Sequence, residues 1–198
     1  MNEAHEELCS SLAWAQYLAT DVLPRVFSGA DLGQHLLEVG PGFGLATDVL
    51  RTKVNRVTSV ELDPGYAARL AERFANSNVD VVLGDATALQ FADDSFSSAA
   101  SFTMLHHVPS RALQDELLAE VARVLEPGGV FIGSDSLDSP GFRAFHAGDT
   151  CNPVDAEGFG RRLQVAGLHE VKVTAEWVAP EGEEEIYGTM FIVARKPR

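Results

Sequence analysis

The run LLEVGPGFG, residues 36–44, decides the fold: an apolar segment breaks into glycine and proline, and LATDVL follows at helical spacing. A strand that turns through Gly40, Gly42 and Gly44 into a helix is a ligand-binding turn. Glycine lets the backbone bend tightly and approach a bound molecule, and open α/β sheets bind ligands at the carboxyl ends of their strands. The spacing is GxGxG; the dinucleotide pattern GxGxxG needs a glycine at 45, where Leu45 stands. Glu38 adds negative charge beside the turn, which favours a cationic ligand over a diphosphate.

Outward from this run, short apolar or β-branched segments recur at Leu36–Val39, Arg56–Glu61, Val79–Leu83, Phe96–Phe102, Val130–Ser134, Val171–Val178 and Thr189–Ala194. Helix-like stretches separate them, the pattern of a doubly wound α/β sheet. Strict alternation in VKVTAEW, residues 171–177, marks a half-solvated strand and an antiparallel pair at the sheet edge. Leu8, Leu12, Ala15, Leu18 and Val22 form the apolar stripe of a first helix and Leu45 and Val49 that of a second. Tyr66, Leu70 and Phe74 mark a third, Leu113, Leu117, Val121 and Val124 a fourth, and Asp155–Ala166 a fifth. Asp63-Pro64 supplies a capping carboxylate and a proline suited to the first helical position.

The 198 residues, 45% of them apolar, suit one domain spanning 1–198 whose core needs no disulfide or metal. Residues 1–30 are expected to form a helical lid and residues 135–153, long for a connection, a substrate loop. Fifteen basic against 29 acidic residues give a net charge of −14, which repels phosphate backbones and argues against a nucleic-acid partner. Arg161-Arg162 and Arg195, Lys196 and Arg198 read as solvated charges. Cys9 and Cys151 form no CxxC pair, which suits a reducing compartment. No window holds the roughly 18 apolar residues of a membrane span and the first 30 residues lack a leader's apolar run, so the expectation is a cytoplasmic protein without a membrane partner.

Glu61 closes the second strand, 23 residues after Glu38. A carboxylate there matches the two O–H donors of a ribose. Asp85, in Gly84-Asp85-Ala86 after the third strand, can accept from an adenine amine while the Ala86 N–H donates to a ring nitrogen. In this order the glycine turn, strand-end acid and Gly-Asp-Ala resemble the class I S-adenosylmethionine-dependent methyltransferases, and FADDSFSSAASFTMLHHV (91–108) and EVARVLEPGGVFIGSD (120–135) extend the resemblance over most of the chain. It is closest to the small-molecule, quinone-biosynthesis type. The resemblance implies a Rossmann-like sheet ordered 3-2-1-4-5-7-6 with strand seven antiparallel and helices on both faces. It implies S-adenosylmethionine as cofactor, with Gly40, Gly42 and Gly44 facing its methionine part, Glu61 its ribose, Asp85 and Ala86 its adenine, and Leu62 and Thr103 against it. Glu38 would orient the turn and the ligand's amino group. Ser97 departs from the acid usual after the phenylalanine of this motif, at a position expected to precede the fourth strand.

Methyl transfer from a sulfonium is an in-line displacement that placement alone can promote, so a base is optional. His106 and His107, after the fourth strand, are the candidate catalytic bases for an acceptor that must lose a proton. In the 135–153 loop, Phe142 and Phe145 can wall an apolar acceptor pocket, with His146 and Asp149 as polar contacts; Trp14 and Tyr17 can cover it from the lid. The set His146, Asp149 and Cys151 lacks the spacing of a zinc site, and no metal is expected. The expected function is methyl transfer to a small-molecule acceptor, releasing S-adenosylhomocysteine. A non-catalytic S-adenosylmethionine-binding module is the alternative, since a fold does not prove turnover. A nicotinamide-dependent oxidoreductase ranks last, for want of the third fingerprint glycine.

Overall fold

The computed structural model describes residues 2–178 and 187–198. Its strands are β1 (His35–Val39), β2 (Arg56–Glu61), β3 (Val79–Leu83), β4 (Phe96–Phe102), β5 (Leu125–Ser136), β6 (His169–Val178) and β7 (Tyr187–Arg195). They form one sheet in the order β3-β2-β1-β4-β5-β7-β6. The pairs from β3 to β5 are parallel, whereas β7 runs antiparallel to both β5 and β6.

The two leucines of β1 show how the sheet is buried. Side chains alternate across a strand, so Leu36 packs with Leu23, Leu50 and Val57 on one face, while Leu37 packs with Phe96, Leu117 and Phe131 on the other. Both are fully buried. An apolar run with no polar face therefore marks a strand covered on both sides. The outermost strand β6 is largely exposed: Val171 and Val173 are half-buried, but Trp177 and Val178 are exposed, so the half-solvated pattern read from the alternation holds only over the first part of the strand.

The helices are α1 (Glu3–Cys9), α2 (Leu12–Tyr17), α3 (Leu23–Phe27), α4 (Leu45–Leu50), α5 (Pro64–Arg73), α6 (Arg111–Val124), α7 (Pro140–Phe145) and α8 (Ala156–Val165). Asp63 caps α5 as expected, its carboxylate accepting from the Gly65 and Tyr66 N–H groups.

Three readings change. The amphipathic first helix is broken into α1, α2, a π-helical turn over Leu18–Val22, and α3. Ser11 accepts from the Trp14 N–H at 3.1 Å and restarts the helix, leaving Leu12 89% exposed while Leu18 and Val22 enter the core. Ser97 lies inside β4, and its Oγ accepts from the Gln34 and His35 N–H groups at 2.9 Å and donates to the Leu32 carbonyl at 2.8 Å. Arg162 is buried, not solvated: its Nε donates to Asp115 at 2.6 Å and its Nη2 to Gln114 Oε1 at 2.9 Å.

Candidate active site

The glycine turn sits at the carboxyl end of β1, tied to β2 by the Gly40 N–H on the Val60 carbonyl at 3.0 Å. Gly40, Gly42 and Gly44 all have positive φ, at 66°, 54° and 74°. Their surroundings differ. A Cβ on Gly40 would lie 2.2 Å from Met104 Cγ, and one on Gly44 would lie 2.6 Å from Leu70 Cδ2, whereas one on Gly42 would meet nothing within 4 Å. Gly40 and Gly42 line the cleft above the strand ends, but Gly44 is buried against α5 and lies outside it. Close packing on a neighbouring helix, not ligand approach, is what requires the third glycine.

This cleft encloses about 780 Å³ over the ends of β1, β2 and β3. Glu61 stands in its wall, Oε2 accepting from the Gly42 N–H at 3.2 Å and Oε1 from the Asp63 N–H at 3.0 Å. Each oxygen retains a second acceptor direction for a ligand hydroxyl. Leu62, Asp85, Ala86 and Thr103 also line the cleft. Asp85 Oδ1 accepts from the Thr87 N–H and hydroxyl, both at 2.8 Å. Glu38 also lines the cleft, at its base. It is buried beneath the turn, where Oε2 accepts from Thr47 Oγ1 at 2.6 Å and Ser59 Oγ at 2.7 Å, and burial pushes its pKa up to about 7. It anchors the turn from below.

A second cavity of about 900 Å³ lies beside the N-terminal helices, walled by Leu137, Phe142, Phe145 and other apolar groups, with Trp14 and Tyr17 from α2. It and the cleft share Thr103, His5, Cys9 and Trp14. Thr103, the junction, has a φ of 48°, a strained value for a β-branched residue, held by its N–H on the Ser134 carbonyl at 2.8 Å. Burial pushes the Cys9 thiol up to about 11, so it is no nucleophile at neutral pH.

Histidines crowd the junction. His107 lines the cleft and His106 the second cavity, their rings 4.1 Å apart, and the rings of His5 and His146 pack on them at centroid distances of 4.8–6.3 Å. Asp135 at the end of β5 accepts from His106 Nδ1 at 2.6 Å and the Leu105 N–H at 2.8 Å. Burial and the neighbouring rings lower His107 to about 3 and His5 to about 4, and burial also lowers His146. His5 and Asp135 were not read from the sequence as site residues; Asp135 ends the 120–135 motif at the start of the expected substrate loop, the signal that could have marked it, whereas His5 sits in no motif. Asn2 docks the N-terminal segment on the 135–153 loop, its N–H on Asp149 Oδ2 at 2.7 Å and its Nδ2 on the Phe145 carbonyl at 2.8 Å.

Residues 37–133, which hold the turn, Glu61, Asp85 and both central histidines, match the family model described as methyltransferase domain. This segment, just under half of the chain, is a methyltransferase domain. Among the chain's relatives is the 2-methyl-6-phytyl-1,4-hydroquinone methyltransferase of Synechocystis sp., 29% identical over 85% of this chain and 55% of that protein. A probable ribosomal RNA small subunit methyltransferase A of Halobacterium salinarum is 45% identical over 35% of this chain and 26% of that protein. The chain thus spans about a quarter to about half the length of these two curated relatives. Of solved structures, the Haemonchus contortus phosphoethanolamine N-methyltransferase 2 complexed with S-adenosyl-L-methionine superposes with a TM-score of 0.72 at 18% identity, over 93% of this chain and 53% of that one. This last likeness is one of fold. No helix among the described residues is long and apolar enough to cross a membrane.

Proposed function

We propose that the protein is an S-adenosylmethionine-dependent methyltransferase acting on a small, apolar acceptor, with S-adenosylhomocysteine as its second product. The observation that carries this reading is the pair of cavities meeting at Thr103, one floored by the glycine turn and strand-end carboxylates, the other walled by Phe142 and Phe145. The residues fit such a cofactor: Gly42 leaves open space above the turn, and Glu61 presents two acceptor oxygens to a diol. When bound, the cofactor supplies a methyl group on a sulfonium, which departs as a neutral thioether.

In this reading Gly40 and Gly42 admit the methionine part, Glu61 holds the ribose, Asp85 and Ala86 the adenine, and Leu62 and Thr103 flank it. Glu38 keeps the turn in place from beneath. Catalysis then rests on aligning the acceptor with the methyl across the Thr103 junction and on excluding water under the lid. Of the two candidate bases, His107 is poorly matched to accepting a proton at neutral pH, because its pKa is lowered to about 3. His106, oriented by Asp135, is better placed. An acidic surface, at −14 overall, favours a small acceptor over RNA, although the match to a ribosomal RNA methyltransferase keeps RNA as an outcome to test.

Calorimetric titration with S-adenosylmethionine and with NADH tests the cofactor. S-adenosylmethionine alone is expected to bind, and Glu61→Ala to weaken it by about 2 kcal/mol, or more than tenfold. S-adenosylhomocysteine release is then measured with an alkyl hydroquinone, phosphoethanolamine and a ribosomal RNA fragment. Turnover of the hydroquinone supports the apolar acceptor; turnover of RNA alone refutes it. Binding without turnover leaves the non-catalytic module, and binding of NADH alone overturns the family function.

A further inference from the structure

Four of the six histidines in the chain converge on one point from three remote segments: His5 from the lid, His106 and His107 from the end of β4, and His146 after α7. Each offers a ring nitrogen within 4.8 Å of one from every other. We propose that they form a binding site for a divalent first-row transition metal ion, of which zinc is the representative, and that the metal clips the lid onto the body of the protein. His5 and His107 line the cleft, but none of the four histidines is among the proposed S-adenosylmethionine contacts, and the proposal stands whether or not methyl transfer is confirmed.

The hydrogen bonds around the rings carry the argument. His146 Nδ1 lies 2.7 Å from the Phe142 carbonyl and His107 Nδ1 3.2 Å from the Thr150 carbonyl, and a carbonyl can only accept, so Nδ1 carries the proton in both. The Asp135 carboxylate does the same for His106 at 2.6 Å, and Asp149 Oδ2 lies 3.4 Å from His5 Nδ1. This leaves Nε2 of His106, His107 and His146 for the metal, the arrangement in which an outer oxygen orients an imidazole ligand, while His5, whose buried Nδ1 makes no hydrogen bond, can present either ring nitrogen. Of these atoms, His106 Nε2 and His146 Nε2 are buried without a hydrogen-bond partner, in side chains only 2% and 3% exposed. A buried polar atom without a partner calls for an explanation, and a metal bond supplies one.

Charge and size agree. Four neutral imidazoles bring no charge, and Asp135 and Asp149 behind them balance a divalent cation. Tetrahedral zinc with bonds of 2.0–2.1 Å sets its nitrogens about 3.4 Å apart, so nitrogens that lie up to 4.8 Å apart need to close by up to about 1.4 Å. Four protein ligands make a closed site, the structural kind. His5 is the ligand on the lid, so the bound ion would hold α1 over the junction. The ligand set differs from His146, Asp149 and Cys151, which the sequence had suggested and set aside. Metal coordination at His106 Nε2 also excludes its use as a base, so the same experiment decides between the two roles.

The full chain, without a polyhistidine tag, is stripped with chelator, dialysed and titrated with zinc. One equivalent is expected to bind, with affinity lowered more than tenfold by His5→Ala and His146→Ala and unchanged by His169→Ala, which lies outside the cluster. Asp135→Asn is expected to weaken binding 10- to 100-fold through His106. Copper(II) added to the unaltered protein should show nitrogen hyperfine structure in its electron paramagnetic resonance spectrum, a readout that needs no variant. Chelation should speed proteolysis within residues 3–27. Absence of saturable binding, binding insensitive to His5→Ala and His146→Ala, or a copper spectrum without imidazole nitrogens overturns the site and returns His106 to the role of base.

Discussion

Gly40 and Gly42 share a left-handed backbone but not a neighbourhood, and the difference is measurable. Gly40→Ala adds a Cβ against Met104 to the backbone strain, so a loss of about 3 kcal/mol is expected; Gly42→Ala incurs the strain alone, about 1–2 kcal/mol. Urea unfolding of the two variants checks this, and equal losses would show that Met104 yields freely. Glu38 makes a second prediction. Its pKa is held up to about 7 in the fold, against an ordinary value of 4.5. Between these values the folded chain holds the extra proton, so stability falls as pH rises from about 5 to 7.5, by roughly 3 kcal/mol. Glu38→Gln should flatten this slope in unfolding measured across pH; an unchanged slope would assign it to other groups. The turn and Glu61 were legible because their chemistry is local to a few consecutive residues. Which glycine faces the cleft, and that Glu38 points beneath the turn, depended on α5, Met104, Thr47 and Ser59, which packing alone brings close.

The N-terminal segment shows at the scale of elements where periodicity misleads. Leu8, Leu12, Ala15, Leu18 and Val22 have helical spacing, yet the stripe is cut at Ser10-Ser11, and only its last part reaches the core. Leu23→Ala, at a fully buried position, is therefore expected to cost about 2–5 kcal/mol, whereas Leu12→Ala should stay within about 0.5 kcal/mol. Thermal unfolding of both separates the broken segment from one continuous helix, for which the two losses would be alike. Arg162 is a second case. From α8 it holds Asp115 and Gln114 of α6, and Gln114 Nε2 in turn donates to the Leu105 and Asn152 carbonyls, each at 2.9 Å, beside the histidine loop. Helix α8 itself was legible from its Asp155 cap and apolar spacing. That one of two adjacent arginines turns inward was not, because the docking of α8 on α6 decides it.

At the scale of the whole molecule, a net charge of −14 on one domain-sized chain opposes compaction. Raising ionic strength from 0.01 to 0.15 M shortens the Debye length from about 30 to 8 Å, and the Tm should rise accordingly; a fall would mean that ion pairs outweigh the repulsion. The sequence by itself determined the sheet, its order through the family resemblance, the glycine turn and the strand-end carboxylates, because each is written in contiguous residues whose period and chemistry do not depend on distant chain. Tertiary structure alone decided that two cavities meet at Thr103 and that His5, His106, His107 and His146 share one point. Those groups lie up to 141 positions apart (146 − 5), and no local pattern links them. Only the docking of the N-terminal segment and the 135–153 loop over the strand ends brings their rings together.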